Sequence, residues 1–171
     1  MIMSENRIIQ GQAKCVKVDD IDTDNIFHAS LLTIHDPDEI KPHIFGNLPG
    51  YENFGEENHE NKILVVGKNY GKGSTRQQAV SGFLAHGIKV VIGESFGPIY
   101  YSNAVNAGLL LIEAQNISQF ALEDGDELEI DLVDTKITNT SKGVSISCNS
   151  VPKPAIDIME AGGLLELGRK I

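Results

Sequence analysis

Apolar and polar positions change period several times along this chain. Residues 8–18 alternate loosely and predict a strand, which ends at V-D-D-I-D-T-D, an acidic and Thr-containing loop. Residues 36–60 are rich in Pro, Gly, Asn, Asp and His, with one short helix expected over 37–43. That predicts a surface excursion, a kind of segment in which binding residues concentrate. K-I-L-V-V-G at 62–67 is a short apolar strand. Residues 76–86 follow with helical spacing, Ala79, Val80, Phe83 and Leu84 forming the buried face, and Gly87 stops the helix. Residues 88–92 are again a strand, so the centre has the order of a β-α-β crossover. A second helix is expected within 96–108, starting near Pro98 and ending at Ala107-Gly108, then a buried strand at 109–112. Beyond it, G-D-E-L-E-I-D-L alternates, 136–147 reads as a hairpin, and 154–160 is a short helix before Ala161-Gly162-Gly163. The pattern predicts an α/β centre flanked by additional β structure, in a single domain over residues 1–171.

Composition narrows the function classes. With 24 acidic and 14 basic side chains the formal charge is −10, and the lysines form no dense cluster. This argues against nucleic-acid binding, which needs concentrated positive charge, but leaves room for a small anionic substrate in a locally basic cleft. No apolar stretch approaches the length of a membrane span and no signal-like segment opens the chain, so a soluble cytoplasmic protein is expected. Cys15 and Cys148 lie far apart and fit no zinc or redox spacing. Reduced thiols are the expectation, and two cysteines cannot supply the ligands of a structural iron–sulfur site.

The densest chemistry lies in N-Y-G-K-G-S-T-R-Q-Q, residues 69–78. Gly71 and Gly73 allow positive φ and close approach by a ligand. Ser74 and Thr75 either cap the following helix or touch substrate, and a helix start offers free N–H groups to an anion. Arg76 is the only arginine between Arg7 and Arg169, hence the only planar, bidentate carboxylate binder in the interior of the sequence. The loop is not a phosphate loop, because Lys72 sits between the glycines and no Ser or Thr follows it directly, and it is not a nucleophile elbow. On local pattern alone, a capped helix with a solvent-facing arginine and a substrate-binding loop both stay open. His28, His35, His43, His59 and His86 form no ligand spacing, and Asp20, Asp22 and Asp24 lack the remaining ligands of a calcium loop, so capping is expected of them.

Several ordered motifs together resemble the small, swivelling subunit of the isopropylmalate isomerase and homoaconitase group of the aconitase superfamily. They are D-x-I-D-T-D-x-I at 20–26 and its flank, N-Y-G-K-G-S-T-R-Q-Q, E-S-F-G-P-I-Y-Y-S-N-A-V-N-A-G-L-L-L-I-E, and the terminal E-A-G-G-L. The resemblance covers nearly the whole chain. It implies an aconitase-type swivelling domain, layered β/β/α with a central mixed or mostly parallel sheet. It further implies a hydro-lyase that isomerises a 2-hydroxy di- or tricarboxylic acid by dehydration and rehydration, with 3-isopropylmalate of leucine biosynthesis as the leading substrate. Homoaconitate and dimethylmalate- or citramalate-type acids stay open. By the same resemblance Ser74 is the base that removes the carbon-bound proton, Arg76 binds substrate carboxylate, and Asp24, after Thr23, supports or handles protons. Thr75, Gly73 and the loop amides hold the substrate. A cluster-bearing large subunit would carry the 4Fe-4S group, none being bound by this chain. Self-association of the isolated chain is left open.

Three departures from the family pattern bear on the site. Gln77 and Gln78 stand where glutamate and histidine are common, and Lys72 stands where a small or polar residue is usual. The stretch expected to read the substrate's side group is Ser30, Leu31, Leu32 and Thr33, in place of a Tyr-Leu start, and it has no arginine. Lys72 either adds charge for the substrate or extends into water, Leu31 and Leu32 either meet an alkyl group or pack in the core, and His28, nearest along the chain to Asp24, is the histidine expected to touch substrate or the interface. A noncatalytic binding or regulatory module on the same fold is the competing class.

Overall fold

Strand order, more than helix content, shows how the centre of the chain is built. A computed structural model describes residues 7–74 and 76–171, with residues 2–3 as backbone. In chain order the elements are β1 (Ile2–Met3), β2 (Ile8–Val16), α1 (Thr23–Ile26), α2 (Pro37–Ile40), β3 (Lys62–Val66), α3 (Gln78–Ala85) and β4 (Val90–Gly93). They continue with α4 (Pro98–Ala107), β5 (Leu110–Glu113), β6 (Glu127–Asp131), β7 (Lys136–Asn139), β8 (Val144–Ser147), α5 (Lys153–Ala161) and α6 (Leu164–Arg169). The sheet runs β5-β4-β3-β2-β6-β7-β8, with β1 antiparallel on β2. β2 to β5 are parallel neighbours, while β6, β7 and β8 continue the sheet antiparallel from the other side of β2. This is the mixed α/β fold expected from the sequence.

Strand pleating divides the core. Successive side chains of β3 point to opposite faces, so Leu64 and Val66 join one cluster with Ala79, Val80 and Phe83 of α3 and Tyr100 and Ala104 of α4. Ile63 and Val65 join a second cluster with Leu128, Ile130, Ile137 and the Ala155, Ile156 and Met159 face of α5. Burial of the parallel half on both faces is why its strands read as unbroken apolar runs.

The excursion over 36–60 departs from its expected surface character. Ile40, Ile44, Phe45, Leu48 and Phe54 are all buried and belong to the first cluster. Phe45 meets Phe54 and Phe83 edge to face at 4.9 and 5.3 Å between centroids. A buried phenylalanine of this kind stabilises by about 3–5 kcal/mol over alanine. Its backbone is tied to α1 where Phe45 N donates to Ile26 O at 2.9 Å. The segment is therefore a folded cap over α3, and its apolar residues escaped notice because they follow no single period.

Local signals set several boundaries. Pro98 opens α4, and Gly108, at φ 93°, closes it in the left-handed conformation. α3 begins at Gln78, two residues after the expected start, although the turn is prepared where Ala79 N donates to Arg76 O at 3.1 Å. α1 is too short to have been seen as periodic and is held by reciprocal bonds between Asp22 and Asn25. Among the described residues, no helix is long and apolar enough to cross a membrane.

Candidate active site

The loop after β3 is strapped from both sides. Gly71 N donates to Ile21 O at 2.7 Å, and Thr23 N donates to Lys72 O at 3.0 Å, so the chain entering α1 runs beside the glycines. On the other side Tyr70 N donates to Ser95 O at 3.1 Å and Gly97 N to Tyr70 O at 2.9 Å. Asn69 adds a backbone bond to Ser95 Oγ at 2.7 Å and a side-chain bond to Asp20 Oδ1 at 3.0 Å. Tyr70 is buried beneath the loop, its ring edge to face with Tyr100 at 5.2 Å, and the Tyr100 hydroxyl donates to Ala79 O at 2.9 Å. Gly71 lies at φ 78° and Gly73 at φ 101°, so both glycines have the positive φ expected of them. Gly73 also borders Thr23, whose Oγ1 would be 3.6 Å from an added Cβ. Ser74 is exposed at the end of this strapped loop. It does not cap α3, whose N-cap is Gln77 with no side-chain cap bond.

Arg76 turns inward. Its NH1 donates to Asp24 Oδ1 at 3.0 Å and to Phe27 O at 3.1 Å, and the side chain is only 14 % exposed. The solvent-facing arginine left open by the sequence is thus replaced by an oriented guanidinium. Asp24 is itself held in place. Ala29 N donates to its Oδ1 at 2.9 Å, Asn47 Nδ2 lies 3.4 Å from its Oδ2, and His28 Nε2 lies 3.8 Å from Oδ2. The Ala29 amide first, then the charges of His28 and Arg76, hold the Asp24 carboxyl below the usual carboxylate range. At pH 7 Asp24 is therefore an acceptor that orients Arg76, rather than a proton donor.

The other expected residues have different surroundings. Thr23 is buried beside Gly73, and His28 caps the next turn, its Nδ1 accepting from Ser30 N at 3.1 Å and lying 2.7 Å from Ser30 Oγ. Ser30 and Thr33 are exposed, Leu31 packs partly against the core, and Leu32 is 40 % exposed. Leu31 thus packs partly in the core, while Leu32 faces solvent. Lys72 is exposed, with Nζ 4.0 Å from Asp20 Oδ1. Thr75 lies outside the described residues. His35 is exposed, whereas His59 and His86 are buried structural residues.

Three contributors carried no signal in sequence. Asn47 comes from the cap segment, 23 positions from Asp24, and also accepts from Asn25 Nδ2 through its carbonyl at 3.2 Å. The Phe27 carbonyl is backbone and leaves no trace in residue type. Gln78, noted only as a departure, is buried and bonds the carbonyls of Leu32 and Ile34. Gln77 is exposed and lines a groove of about 480 Å³ with Asn103, Asn106 and Leu164.

The chain's donor set does not fit an iron–sulfur cluster. Cys15 and Cys148 are half-buried, burial pushes the Cys15 thiol up to about 11, and the Cys148 thiol is also raised, the reverse of what thiolate ligation requires. Among the described residues, no group of three or more His, Cys, Asp or Glu side chains gathers to hold a metal ion.

Known proteins resemble this chain over most of its length. Residues 8–117 match the aconitase C-terminal domain family. 3-Isopropylmalate dehydratase small subunit 1 of Archaeoglobus fulgidus is 38% identical over 153 residues, 90% of this chain and 92% of that one. The methanogen homoaconitase small subunit of Methanocaldococcus jannaschii is 39% identical over 163 residues, 95% and 92% of the two chains. A crystal structure of 3-isopropylmalate dehydratase from Methanocaldococcus jannaschii superposes with a TM-score of 0.83 at 39% identity, covering 95% of this chain and 94% of that one. The shared region contains the strapped serine loop and the parallel strands that carry it, and the chain belongs to the 3-isopropylmalate dehydratase and homoaconitase small-subunit group of the aconitase superfamily.

Proposed function

We propose that this chain supplies the serine and arginine half of a hydro-lyase active site completed by a cluster-bearing large subunit. The reaction is dehydration and rehydration of a 2-hydroxy acid, with 3-isopropylmalate as substrate. The observation that carries the reading is the Arg76–Asp24 contact at 3.0 Å, because it orients the sequence's one interior arginine beside an exposed serine. A planar guanidinium so fixed pairs with a substrate carboxylate through two parallel bonds.

Ser74 would then receive the carbon-bound proton at Oγ. A lone hydroxyl is almost fully protonated at pH 7, so the alkoxide requires positive charge and donors aimed at it. Arg76, two positions on, is the charge this chain contributes. Partner contacts complete the site, which makes the isolated chain inactive. The 4Fe-4S group, when held by the partner, supplies Lewis-acid assistance to departure of the hydroxyl.

Exposed Leu32 and half-buried Leu31 favour an alkyl side group. Homoaconitate is the second reading: its additional carboxylate suits the exposed Lys72 ammonium, beside the same loop. The test is anaerobic reconstitution with the large subunit, assayed against both acids. Ser74→Ala should lower kcat by about 10²–10⁴-fold, the usual scale for a general base, while assembly is preserved. Full turnover by a stably assembled Ser74→Ala enzyme would remove Ser74 as the base.

A further inference from the structure

Gln78 opens α3, two residues after Arg76, and its side chain is turned away from solvent, leaving the residue 8% exposed. Its single amide nitrogen donates to Leu32 O and to Ile34 O, each at 3.2 Å, across 46 and 44 positions of sequence. The stretch it grips has its own short-range bonds: Leu31 N to His28 O at 3.0 Å, Leu32 N to Ala29 O at 3.4 Å and Ile34 N to Leu31 O at 3.0 Å. At its start Ala29 N is held by Asp24 Oδ1. The segment is thus anchored at one end by the partner of Arg76 and at the other by Gln78.

We infer that Gln78 is a positioning residue for substrate selection, fixing Ser30, Leu31, Leu32 and Thr33 relative to Arg76. The inference rests on the proposed hydro-lyase reading. Both the guanidinium and the clamp belong to one turn of chain, so the distance between carboxylate recognition and side-group recognition is set by that turn. The chemistry requires a primary amide, which carries two protons on one nitrogen and can satisfy two carbonyls together. A neutral imidazole presents one N–H, and an ionised carboxylate presents none while repelling both acceptors. The primary amide of Gln78 is therefore the group that can hold both carbonyls of the segment at once.

The test uses the full chain assembled with its large subunit. Gln78→Met keeps the length of the side chain and removes both donors. Losing two neutral hydrogen bonds should raise KM for the preferred acid about tenfold and flatten the preference among 2-hydroxy acids of different side group, with kcat within about twofold. Gln78→His, restoring one donor, should show a smaller rise in KM than Gln78→Met, and it stands as a separate comparison with wild type where Gln78→Met folds poorly. Hydrogen exchange should show faster exchange at the amides of Leu31, Leu32 and Ile34, with β3 unchanged. Unchanged exchange there would overturn the clamp. Faster exchange with unaltered KM and preference would overturn its role in selection, as would a fall in kcat alone. Lack of turnover by the wild-type assembly would refute the hydro-lyase reading instead, a result separate from the exchange measurement.

Discussion

The rings of His59 and His86 meet edge to face, centroids 5.2 Å apart, where the cap segment closes over the end of α3. His59 Nε2 lies 2.7 Å from Phe54 O and His86 Nε2 lies 2.8 Å from Lys41 O, so each ring donates to the cap's backbone. The opposite nitrogens, both Nδ1, are buried without a partner among the described residues. Burial lowers the His59 pKa from 6.5 to about 4 and lowers that of His86, outweighing the nearby Glu57, while Lys62 and Lys41 act in the same direction as burial.

This pair makes the fold acid-sensitive. Between 6.5 and about 4 the unfolded chain binds a proton at His59 that the folded chain refuses, so stability falls as pH falls through that window and is full above it, and the lowered pKa of His86 acts in the same direction. For His59 the interval is worth about 3 kcal/mol at roughly 1.4 kcal/mol per pH unit. Urea unfolding should show a lower midpoint at pH 5 than at pH 7, and His59→Gln, which donates without titrating, should flatten the profile. An identical midpoint at both pH values in the wild-type chain would contradict the coupling.

Gly71 should tolerate no side chain. Its φ of 78° is strained for any L-residue, and an added Cβ would come within 2.4 Å of Tyr100 Cγ. Backbone strain and overpacking each cost about 1–3 kcal/mol. Gly71→Ala should thus lose about 3 kcal/mol and roughly 6–12 °C in Tm at this chain length. Adding Tyr100→Ala relieves only the steric part, so the double variant should lose less than the sum of the two single changes. Strict additivity in that cycle would show that the ring is not what the methyl meets.

What could be read in the sequence follows from period and punctuation. α4 was legible because Pro98 and Gly108 mark its ends, and β3, α3, β4 and β5 because their apolar runs are continuous or helically spaced. α1 and α6 were missed: the first is four residues long, and the second follows Gly163 with six residues, L-L-E-L-G-R, too few for a period to emerge. In the site, Ser74, Arg76 and Asp24 were marked by family resemblance, whereas the contact between Arg76 and Asp24 was not. A polar contact between residues 52 positions apart leaves no pattern along the chain, and the same holds for Asn47 and Gln78. The cap segment was read as surface because its Pro, Gly and Asp content is high, while five scattered apolar residues decide its burial.

The Arg76–Asp24 pair makes a charge-preserving change at Arg76 informative. NH1 is engaged by Asp24 and the Phe27 carbonyl at 3.0 and 3.1 Å, so the plane of the guanidinium is set before substrate arrives. A lysine gathers its donors on one nitrogen and offers no second coplanar nitrogen for a carboxylate. Arg76→Lys should therefore reduce kcat/KM by about 100-fold while assembly with the large subunit and Tm change little. Asp24→Asn keeps an acceptor for Ala29 N but removes the charge facing Arg76. Because the folded Asp24 pKa lies below its ordinary 3.8, its stabilising contribution is present above that value and is lost as pH falls through the folded pKa. The Tm difference between wild type and Asp24→Asn should accordingly be visible at pH 7 and close in strong acid, and a difference that persists there would assign the effect to packing rather than charge. Wild-type kcat/KM in an assembled Arg76→Lys enzyme would show that carboxylate binding at this position needs charge alone.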